Sequence, residues 1–415
     1  MKIIILCFVT LCCSLWCVAQ QTSEKEFEKQ ITSLMQNKET ARESKDYKKA
    51  ENLSWEMLKV LKAQPKEYQK ENSYLEGLFY YDVACYQALQ GKKKAALTSL
   101  ETAYNRGWDN YSHAKTDTDL DGLRKEKKFL EIMGRMRNTS DFLYILQQAE
   151  GYDRNEKEPV YYGEAENNTH PQFTYMNPND SNLVHLRKHF NLDSIAGNGD
   201  EISKIKNLLL WVHNVVRHDG SSSNPTERNT IAMVELCKKE NRGVNCRMMG
   251  QMLNECYLAM GFKSRYVTCM PKVMISDCHV INAVYSNTLN KWLWVDPTFN
   301  AYVTDENGTL LGIGEVRERL RSGQPLILNE DANWNNRSKQ TKEQYLDNYM
   351  AKNLYYVTSP FRSEYNAETN YPGKKWSKHI SLVPVGFSTN GISGGGATPY
   401  DTHNDLYFWQ SPYQE

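Results

Sequence analysis

The sequence predicts an α+β protein in which an N-terminal α-helical, repeat-like domain precedes a domain built from a helix packed on an antiparallel sheet. The first part is predicted helical because apolar residues recur at helical spacing between residues 24 and 149, where Pro65 is the single internal proline. The second part is predicted to contain the sheet because an amphipathic helix is followed by three stretches rich in Val, Ile, Tyr and Trp. A length of 415 residues also exceeds what one hydrophobic core usually organises, so two folded units are expected.

Residues 1–19 have the pattern of a secretory signal peptide. A basic start precedes an apolar run, 3–18, that closes at Ala19 and is followed directly by polar residues. The run is short for a membrane span. We therefore expect an exported protein, periplasmic or extracellular. A lipid anchor at Cys17 is disfavoured, because the bulky Trp16 stands where a small residue would be wanted.

Composition argues against several classes of partner. The chain has 50 basic and 50 acidic side chains and no dense run of one sign, which disfavours nucleic-acid or polybasic membrane surfaces. Without the signal peptide, six cysteines remain at irregular spacing: Cys85, Cys237, Cys246, Cys256, Cys269 and Cys278. They include no CxxC pair, and the HxxxH spacing of His185 and His189 is interrupted by two basic residues that favour a solvated helix face. Neither a metal nor a cofactor is therefore predicted.

The helical domain is assigned to residues 20–150. Its segment Tyr81–Trp108 resembles a tetratricopeptide repeat, in which small and apolar residues let two antiparallel helices pack closely. The residues that carry this resemblance are Ala84, Gly91, Ala96, Leu100 and Ala103. A helical bundle without repeats is the alternative. Helical repeats present extended binding surfaces, so a protein partner is predicted for this domain.

Three further segments complete the predicted organisation. Residues 151–200 are expected to be a linker, because prolines, asparagines and tyrosines replace the helical pattern. Residues 201–387 form the predicted second domain, and residues 388–415 a C-terminal tail to which no function is assigned. The second domain opens with a helical pattern that ends before the turn-forming stretch 218–225.

A cysteine stands at the predicted start of an amphipathic helix. Asn245 is a good N-cap residue, apolar residues follow at helical spacing, and Gly261 is the expected stop. Cys246 then lies on the first turn. Unpaired backbone N–H groups and the positive end of the helix dipole favour a thiolate at that position, and they can also hold an oxyanion.

A histidine and an aspartate lie on the predicted strands that follow. The three extended stretches are Ser264–Met270, His279–Ser286 and Lys291–Asp296. The last two can form a hairpin with a loop within residues 287–290. If that loop has two or four residues, strand parity places His279 and Asp296 on the same face; an odd loop would place them on opposite faces.

This order of residues is what acyl transfer by a thiol requires. Cys246 would attack a carboxamide or peptide carbonyl. His279 would accept the thiol proton and then protonate the leaving amine. Asp296 would orient the imidazole and stabilise its charged form. The structural alternative is a buried cysteine, a hydrogen-bonded strand histidine and a turn-forming aspartate.

Four ordered motifs resemble the transglutaminase-like superfamily, whose papain-like core packs a nucleophile helix on an antiparallel sheet. They are the segments 243–246 with the cysteine, 260–265 with a glycine-to-arginine step, 279–285 with the histidine, and 294–298 with the aspartate. The resemblance spans about a hundred residues and implies Cys246, His279 and Asp296 as the catalytic triad.

Two departures from the family pattern leave the triad itself unchanged: the glycine-to-cysteine gap is one residue longer than often seen, and an aromatic residue is missing two positions after the histidine. Ile281 stands where the related strand often carries an aromatic residue. The side-chain donor of the oxyanion hole is also unassigned, because Glu240 cannot donate as a carboxylate. Asn245 and Trp211 are the candidates for this supporting role, beside the backbone N–H of Cys246.

The sequence therefore predicts an exported enzyme that forms a thioester from an amide of a peptide or protein. Water would complete the reaction in a peptidase or amidase, and an amine would complete it in a transglutaminase that acts on glutamine. The missing aromatic residue favours water, because a wetter site exposes the thioester to hydrolysis. Trp211, Trp292 and Trp294 could instead supply a shielding wall from other directions. A catalytically silent, peptide-binding scaffold is the alternative from another functional class.

Overall fold

The computed structural model describes residues 25–162, 171–273, 277–392 and 398–412. The predicted signal peptide and Cys17 lie outside the described residues. The chain divides into two compact units, one ending at Asp141 and the other beginning at Phe142. Within the described ranges, no helix combines the length and the apolarity needed to cross a bilayer.

The first unit consists of helices, as the sequence predicts. They are α1 (25–43), α2 (Tyr47–Lys62), α3 (Lys66–Glu71), α4 (Ser73–Leu89), α5 (Lys93–Asn105), α6 (Tyr111–Thr116) and α7 (Lys127–Ser140), with a 3₁₀ turn at Thr118–Leu123. The small residues that resemble a helical repeat lie where α4 and α5 pack. A Cβ atom at Gly77 would lie 2.8 Å from the backbone nitrogen of Trp108, and the rings of Tyr81 and Trp108 stack with centroids 3.6 Å apart.

The second unit places helices around a central sheet. Its helices are α8 (Phe142–Gln147), α9 (Ser181–His189), α10 (Leu192–Ala196), α11 (Glu201–Val215), α12 (Thr230–Glu240), α13 (Cys246–Ala259), α14 (Ile313–Ser322), α15 (Ala351–Asn353) and α16 (Asp405–Phe408). A π-helical segment, Glu343–Met350, runs directly into α15.

The main sheet has seven strands in the order β1-β13-β12-β10-β3-β4-β5. These strands are β1 (Val160–Tyr161), β3 (Ser264–Met270), β4 (His279–Ser286), β5 (Lys291–Val295), β10 (Tyr356–Pro360), β12 (His379–Leu382) and β13 (Tyr400–Thr402). Three small two-stranded sheets contain the remaining strands: β2 (Thr174–Tyr175), β6 (Val303–Thr304), β7 (Ile327–Leu328), β8 (Asn333–Trp334), β9 (Ser338–Lys339) and β11 (Arg362–Ser363).

The antiparallel sheet predicted for the second domain is present, within a main sheet that is mixed as a whole. Strands β3, β4, β5 and β10 pair antiparallel, but β12 and β13 pair in parallel because the chain crosses over and returns beside β12 in the same direction. Residues of the predicted C-terminal tail thus belong to the sheet, and Phe408 of α16 is buried.

Helices cover both faces of the sheet. On β4, Ile281 and Ala283 belong to one apolar cluster and Val284 to the other, as strand alternation requires. The second cluster contains the apolar side of α13, which approaches β4 closely: a Cβ atom at Gly250 would lie 3.0 Å from the Val280 side chain. Every residue of β3 and β4 is buried, as expected for strands that are covered on both faces.

Candidate active site

The helix that carries Cys246 begins and ends where its sequence predicts. The Asn245 side-chain oxygen accepts a hydrogen bond from the backbone N–H of Met248 at 3.1 Å, so α13 starts at Cys246. At the other end, Gly261 adopts φ +86°, a conformation that glycine reaches without a Cβ penalty. Cys246 is partly exposed, whereas most of the helix after it is buried.

A glycine lets the segment after α11 run alongside the start of α13. The backbone N–H of Val244 donates to the carbonyl of Arg217 at 3.1 Å, and that of Asp219 donates to the Val244 carbonyl at 2.8 Å. A Cβ atom at Gly243 would lie 2.7 Å from that same Arg217 carbonyl oxygen, so only glycine fits here without movement. This close approach brings His218 beside the nucleophile helix.

The β4–β5 hairpin sets the relation between the predicted histidine and aspartate. Ser286 pairs with Lys291, so the loop has the four residues 287–290, and the register places Asp296 opposite Ile281, one pair diagonal to His279. The loop thus has an even number of residues, which is the condition under which the sequence predicts His279 and Asp296 on the same face of the sheet. Glu201 holds this loop by accepting hydrogen bonds from its first two backbone N–H groups at 2.9 and 2.8 Å.

Asp296 is buried and fully hydrogen-bonded. One carboxylate oxygen accepts from His279 Nε2 at 2.7 Å and from the Tyr345 hydroxyl at 2.6 Å, while the other accepts from the backbone N–H of Thr298 at 2.8 Å. The His279 and Asp296 side chains are 1% and 0% exposed. A carboxylate with this many donors is held in one orientation, and it holds the imidazole in turn.

The electrostatic state of Cys246 and His279 suits a thiolate–imidazolium pair. Burial alone would raise the pKa of Cys246, but hydrogen bonding to the side chains of His218 and His279 and to the Val280 backbone lowers it to about 6. Burial alone would lower the pKa of His279, but the charge and hydrogen bond of Asp296 and the neighbouring Cys246 raise it to about 10. The ionised pair therefore predominates between these two pH values.

The second ring nitrogen of His279 is available to the thiol. Nδ1 is buried and has no partner within normal hydrogen-bond limits among the described residues, although Cys246 and His279 shift each other's pKa. In catalytic pairs without substrate, hydrogen bonds are often long or poorly aligned, and they tighten when substrate binds.

Aromatic rings cover His279. Its ring centroid lies 5.7 Å from Phe299 and 5.2 Å from Tyr349, both in edge-to-face geometry. Tyr349 lies on the π-helical segment, as does Tyr345. This segment therefore contributes both a hydrogen bond to the carboxylate and a wall against the imidazole; π-helical turns occur frequently at functional sites.

The two predicted supporting residues have other partners. The Asn245 oxygen caps α13, and its amide nitrogen donates to the Asn224 side chain at 2.7 Å. Trp211 packs against Phe190 with ring centroids 5.0 Å apart, within the apolar layer of the helices. Their assignment to the oxyanion hole remains a prediction, with little geometric support.

Sequence reasoning missed His218 and Tyr345. In the sequence, His218 stands in a turn-forming stretch, and Tyr345 fits the apolar side of an amphipathic helix. The only sequence signal for His218 is that it directly follows the helix, α11, that precedes the nucleophile helix. Tyr345 has no signal that distinguishes it from a core aromatic residue.

A second cluster of polar groups lies in the helical unit. Possible ligand atoms of Cys85, Asp117 and Asp119 lie within 4.8 Å of one another. Protein groups already engage the two carboxylates, because Tyr81 donates to Asp117 at 2.6 Å and Arg42 lies 3.6 Å from Asp119. We assign no ligand to this cluster.

Comparison with known proteins agrees with this fold. Residues 188–297 match the model of the core of the transglutaminase-like superfamily. The match includes α11, α13 and strands β3 to β5, and therefore Cys246, His279 and Asp296. The chain thus contains a transglutaminase-like core and resembles a family of thiol-dependent enzymes.

A similar solved structure is a "Putative Cysteine Protease from Cytophaga hutchinsonii". It shares 16% identity with this chain over 35% of this chain and 48% of its own length, with a TM-score of 0.23. The chain therefore spans about half the length of that protein. A comparison with curated proteins finds no significant match.

Proposed function

We propose that this protein is an exported, thiol-dependent enzyme that hydrolyses amides of peptides or proteins through Cys246, His279 and Asp296. The proposal rests chiefly on one observation: the Cys246 thiol at the start of α13 is paired with His279, which the buried Asp296 carboxylate holds at 2.7 Å. This arrangement lowers the pKa of Cys246 and raises that of His279. A merely structural cysteine without these partners would have a pKa raised by the surrounding protein, as Cys256 has.

The first half of the reaction is acylation. The Cys246 thiolate attacks the carbonyl carbon, so a C–S bond forms and the C=O π pair moves onto oxygen. When this oxyanion collapses, the C–N bond breaks, and the imidazolium of His279 donates its Nδ1 proton to the leaving amine. Asp296 keeps the ring oriented by accepting from Nε2 at 2.7 Å.

The second half consumes the thioester. Neutral His279 now accepts a proton from water at Nδ1, and the resulting hydroxide equivalent attacks the thioester carbonyl. The C–S bond then breaks, which releases the acid and restores the thiolate beside the imidazolium. An amine in place of water would give a transamidated product instead.

Two features favour water as the acceptor. Cys246 is partly exposed, so the thioester would be accessible to solvent. Ile281, at the position where an aromatic wall is often found, is fully buried in the core and adds nothing to a channel beside the nucleophile. A reactive intermediate that is poorly shielded from water is hydrolysed.

For the helical unit we propose recruitment of a peptide or protein partner. Its surface carries large apolar side chains that are well exposed: Met35, Trp55, Tyr74 and Leu130. Aromatic residues and Met are enriched in protein interfaces, which supports this role.

The test offers the full mature chain a library of glutamine-containing peptides together with a labelled primary amine, and follows both products by mass spectrometry. We expect cleaved peptides or free acids without label, and no product from a Cys246→Ala variant. Amine adducts that depend on Cys246 would overturn the preference for hydrolysis. If the wild-type chain forms no product of either kind from any peptide, the silent scaffold is the correct interpretation.

A further inference from the structure

The ring of His218 is held in a single tautomer by an indole. Trp334 Nε1–H donates to His218 Nδ1 at 3.0 Å. An indole nitrogen can only donate, so Nδ1 must act as the acceptor and be unprotonated. The proton of the neutral imidazole therefore resides on Nε2, which is left as a hydrogen-bond donor.

That donor is on the side of the nucleophile. The His218 side chain is one of the groups that lower the pKa of the Cys246 thiol, and since Nδ1 is occupied by the indole, Nε2 is the nitrogen left for this interaction. The position of the His218 backbone is fixed by a contact that does not involve the His218 ring. His218 forms a parallel bridge with Val244, two residues before the nucleophile.

A small hairpin clamps His218 from the other side. The Asn335 side chain accepts from the backbone N–H of His218 at 2.7 Å and donates to its carbonyl at 2.9 Å. Asn336 donates to the side chain of Asn214 on α11 at 2.8 Å, which ties the β8–β9 hairpin to the helix before His218. Trp334 is a large side chain that is nevertheless 36% exposed. Its contribution to this hairpin therefore comes from the hydrogen bond of its N–H group more than from burial of its ring.

We propose that His218 Nε2–H and the backbone N–H of Cys246 together form the oxyanion hole, and that Trp334 is a positioning residue that keeps the proton of His218 on Nε2. This inference rests on the acyl-transfer function proposed above. The Cys246 N–H belongs to the first turn of α13, where backbone N–H groups have no intrahelical acceptor. As the N–H of the nucleophile's own residue at the helix start, it can bind the oxygen of the attacked carbonyl.

The same tautomer separates the roles of the two histidines. With its proton on Nε2 and its lone pair on Nδ1 engaged by Trp334, His218 has no free lone pair to accept a proton from the thiol or from water. His279 has Nδ1 on the thiol side and Asp296 behind it, which suits proton transfer. One imidazole therefore stabilises charge while the other moves protons.

The experiment compares two reactions of the same thiol in the full mature chain. Hydrolysis of p-nitrophenyl acetate passes through an oxyanion, whereas alkylation by iodoacetamide displaces iodide at a saturated carbon and forms none. We expect His218→Ala to lower kcat for the ester by roughly 10²-fold, the size of a lost oxyanion donor. The high-pH plateau of Cys246 alkylation should change by no more than about twofold, since the nucleophile itself remains.

Two further variants test the donor and its tautomer. His218→Gln restores an N–H donor and should recover part of the ester activity. Trp334→Phe keeps the aromatic ring but removes the indole donor, and we expect a loss of about tenfold, less than for His218→Ala. His185→Ala, on an exposed face of α9, is the matched control and should behave as wild type.

The outcomes separate this inference from the proposed function. Equal ester kcat for wild type and His218→Ala, or an equal fall in the ester kcat and the alkylation plateau, would overturn the oxyanion assignment while leaving the acyl-transfer function intact. A wild-type chain that is alkylated rapidly but never turns over the ester would overturn the function itself. Near-ultraviolet circular dichroism confirms that each variant keeps its tertiary packing.

Discussion

Helix α13 contains two cysteines whose surroundings lead to opposite chemistry. Cys246 lies at the first position, partly exposed, and its pKa falls to about 6 because His218, His279 and the Val280 backbone offset the effect of burial. Cys256 lies in the interior of the same helix, where burial raises the pKa of its thiol well above the usual value. The difference indicates that the groups around the helix start, and not the residue type alone, lower the pKa of Cys246.

The largest effect on the difference between the two cysteines should come from removing the negative charge of Asp296, which lies next to the His279 imidazole. Asp296→Asn keeps the shape of the side chain but no longer stabilises the His279 imidazolium. We expect kcat to fall by roughly 10²- to 10⁴-fold. The pKa of Cys246 should also rise from about 6 toward its ordinary value of 9.0, so that it becomes more like Cys256.

Steady-state rates and the pH dependence of alkylation measure both effects. Circular dichroism should show an unchanged fold. An Asp296→Asn variant with nearly wild-type turnover would mean that another group orients His279, and the triad assignment would be wrong.

A smaller effect is expected from substitution of Tyr345, which could not be recognised from the sequence as part of the candidate site. Tyr345→Phe removes the hydroxyl that donates to Asp296 at 2.6 Å, so the carboxylate loses one of its donors. We expect a loss of about 1 to 3 kcal/mol in the free energy of unfolding and a fall in kcat of about tenfold. Urea denaturation and steady-state kinetics provide the measurements.

Tyr349→Phe is the matched control for this change. Tyr349 lies on the same π-helical segment and contacts the His279 ring, but the tyrosine hydroxyl that donates to the Asp296 carboxylate belongs to Tyr345. Equal effects of the two substitutions would show that loss of ring polarity, and not the hydrogen bond to Asp296, is responsible.

The smallest effect should follow removal of the helical unit. Residues 142–415 form a compact unit with apolar clusters of its own, so the reactivity of Cys246 relative to Cys256 should be retained in that fragment. Ester turnover should stay within about twofold of the full chain, as expected for independent domains. Loss of turnover in a fragment that is still folded would place the helical unit in the active site.

Much of the second unit could be predicted from local sequence. The N-cap at Asn245 and the glycine stop at Gly261 define α13 through backbone hydrogen bonding that needs only neighbouring residues. The three strands that carry the candidate site were predicted to within one residue, because β-branched and aromatic residues between polar turns specify them.

Contacts between distant segments could not be predicted in this way. The parallel pairing of β12 with β13 depends on how the chain returns after a crossover, which no local pattern encodes. The partners of Asp296 and Cys246 include Tyr345 and His218, whose positions follow from a π-helical segment and from a clamp around residue 335. Such long-range contacts are set by tertiary packing, so residues that look like core or turn in the sequence become part of the site.

The central claim is that Cys246 is a preformed thiolate nucleophile, and the pH dependence of its alkylation tests that claim most directly. The full mature chain would be labelled briefly with iodoacetamide across a pH series, and the rate at each cysteine obtained by peptide mapping. We predict that the Cys246 rate rises as pH increases, reaches half its plateau near pH 6, and exceeds the Cys256 rate throughout. A midpoint near 9.0, or equal labelling of Cys246 and Cys256, would contradict the account.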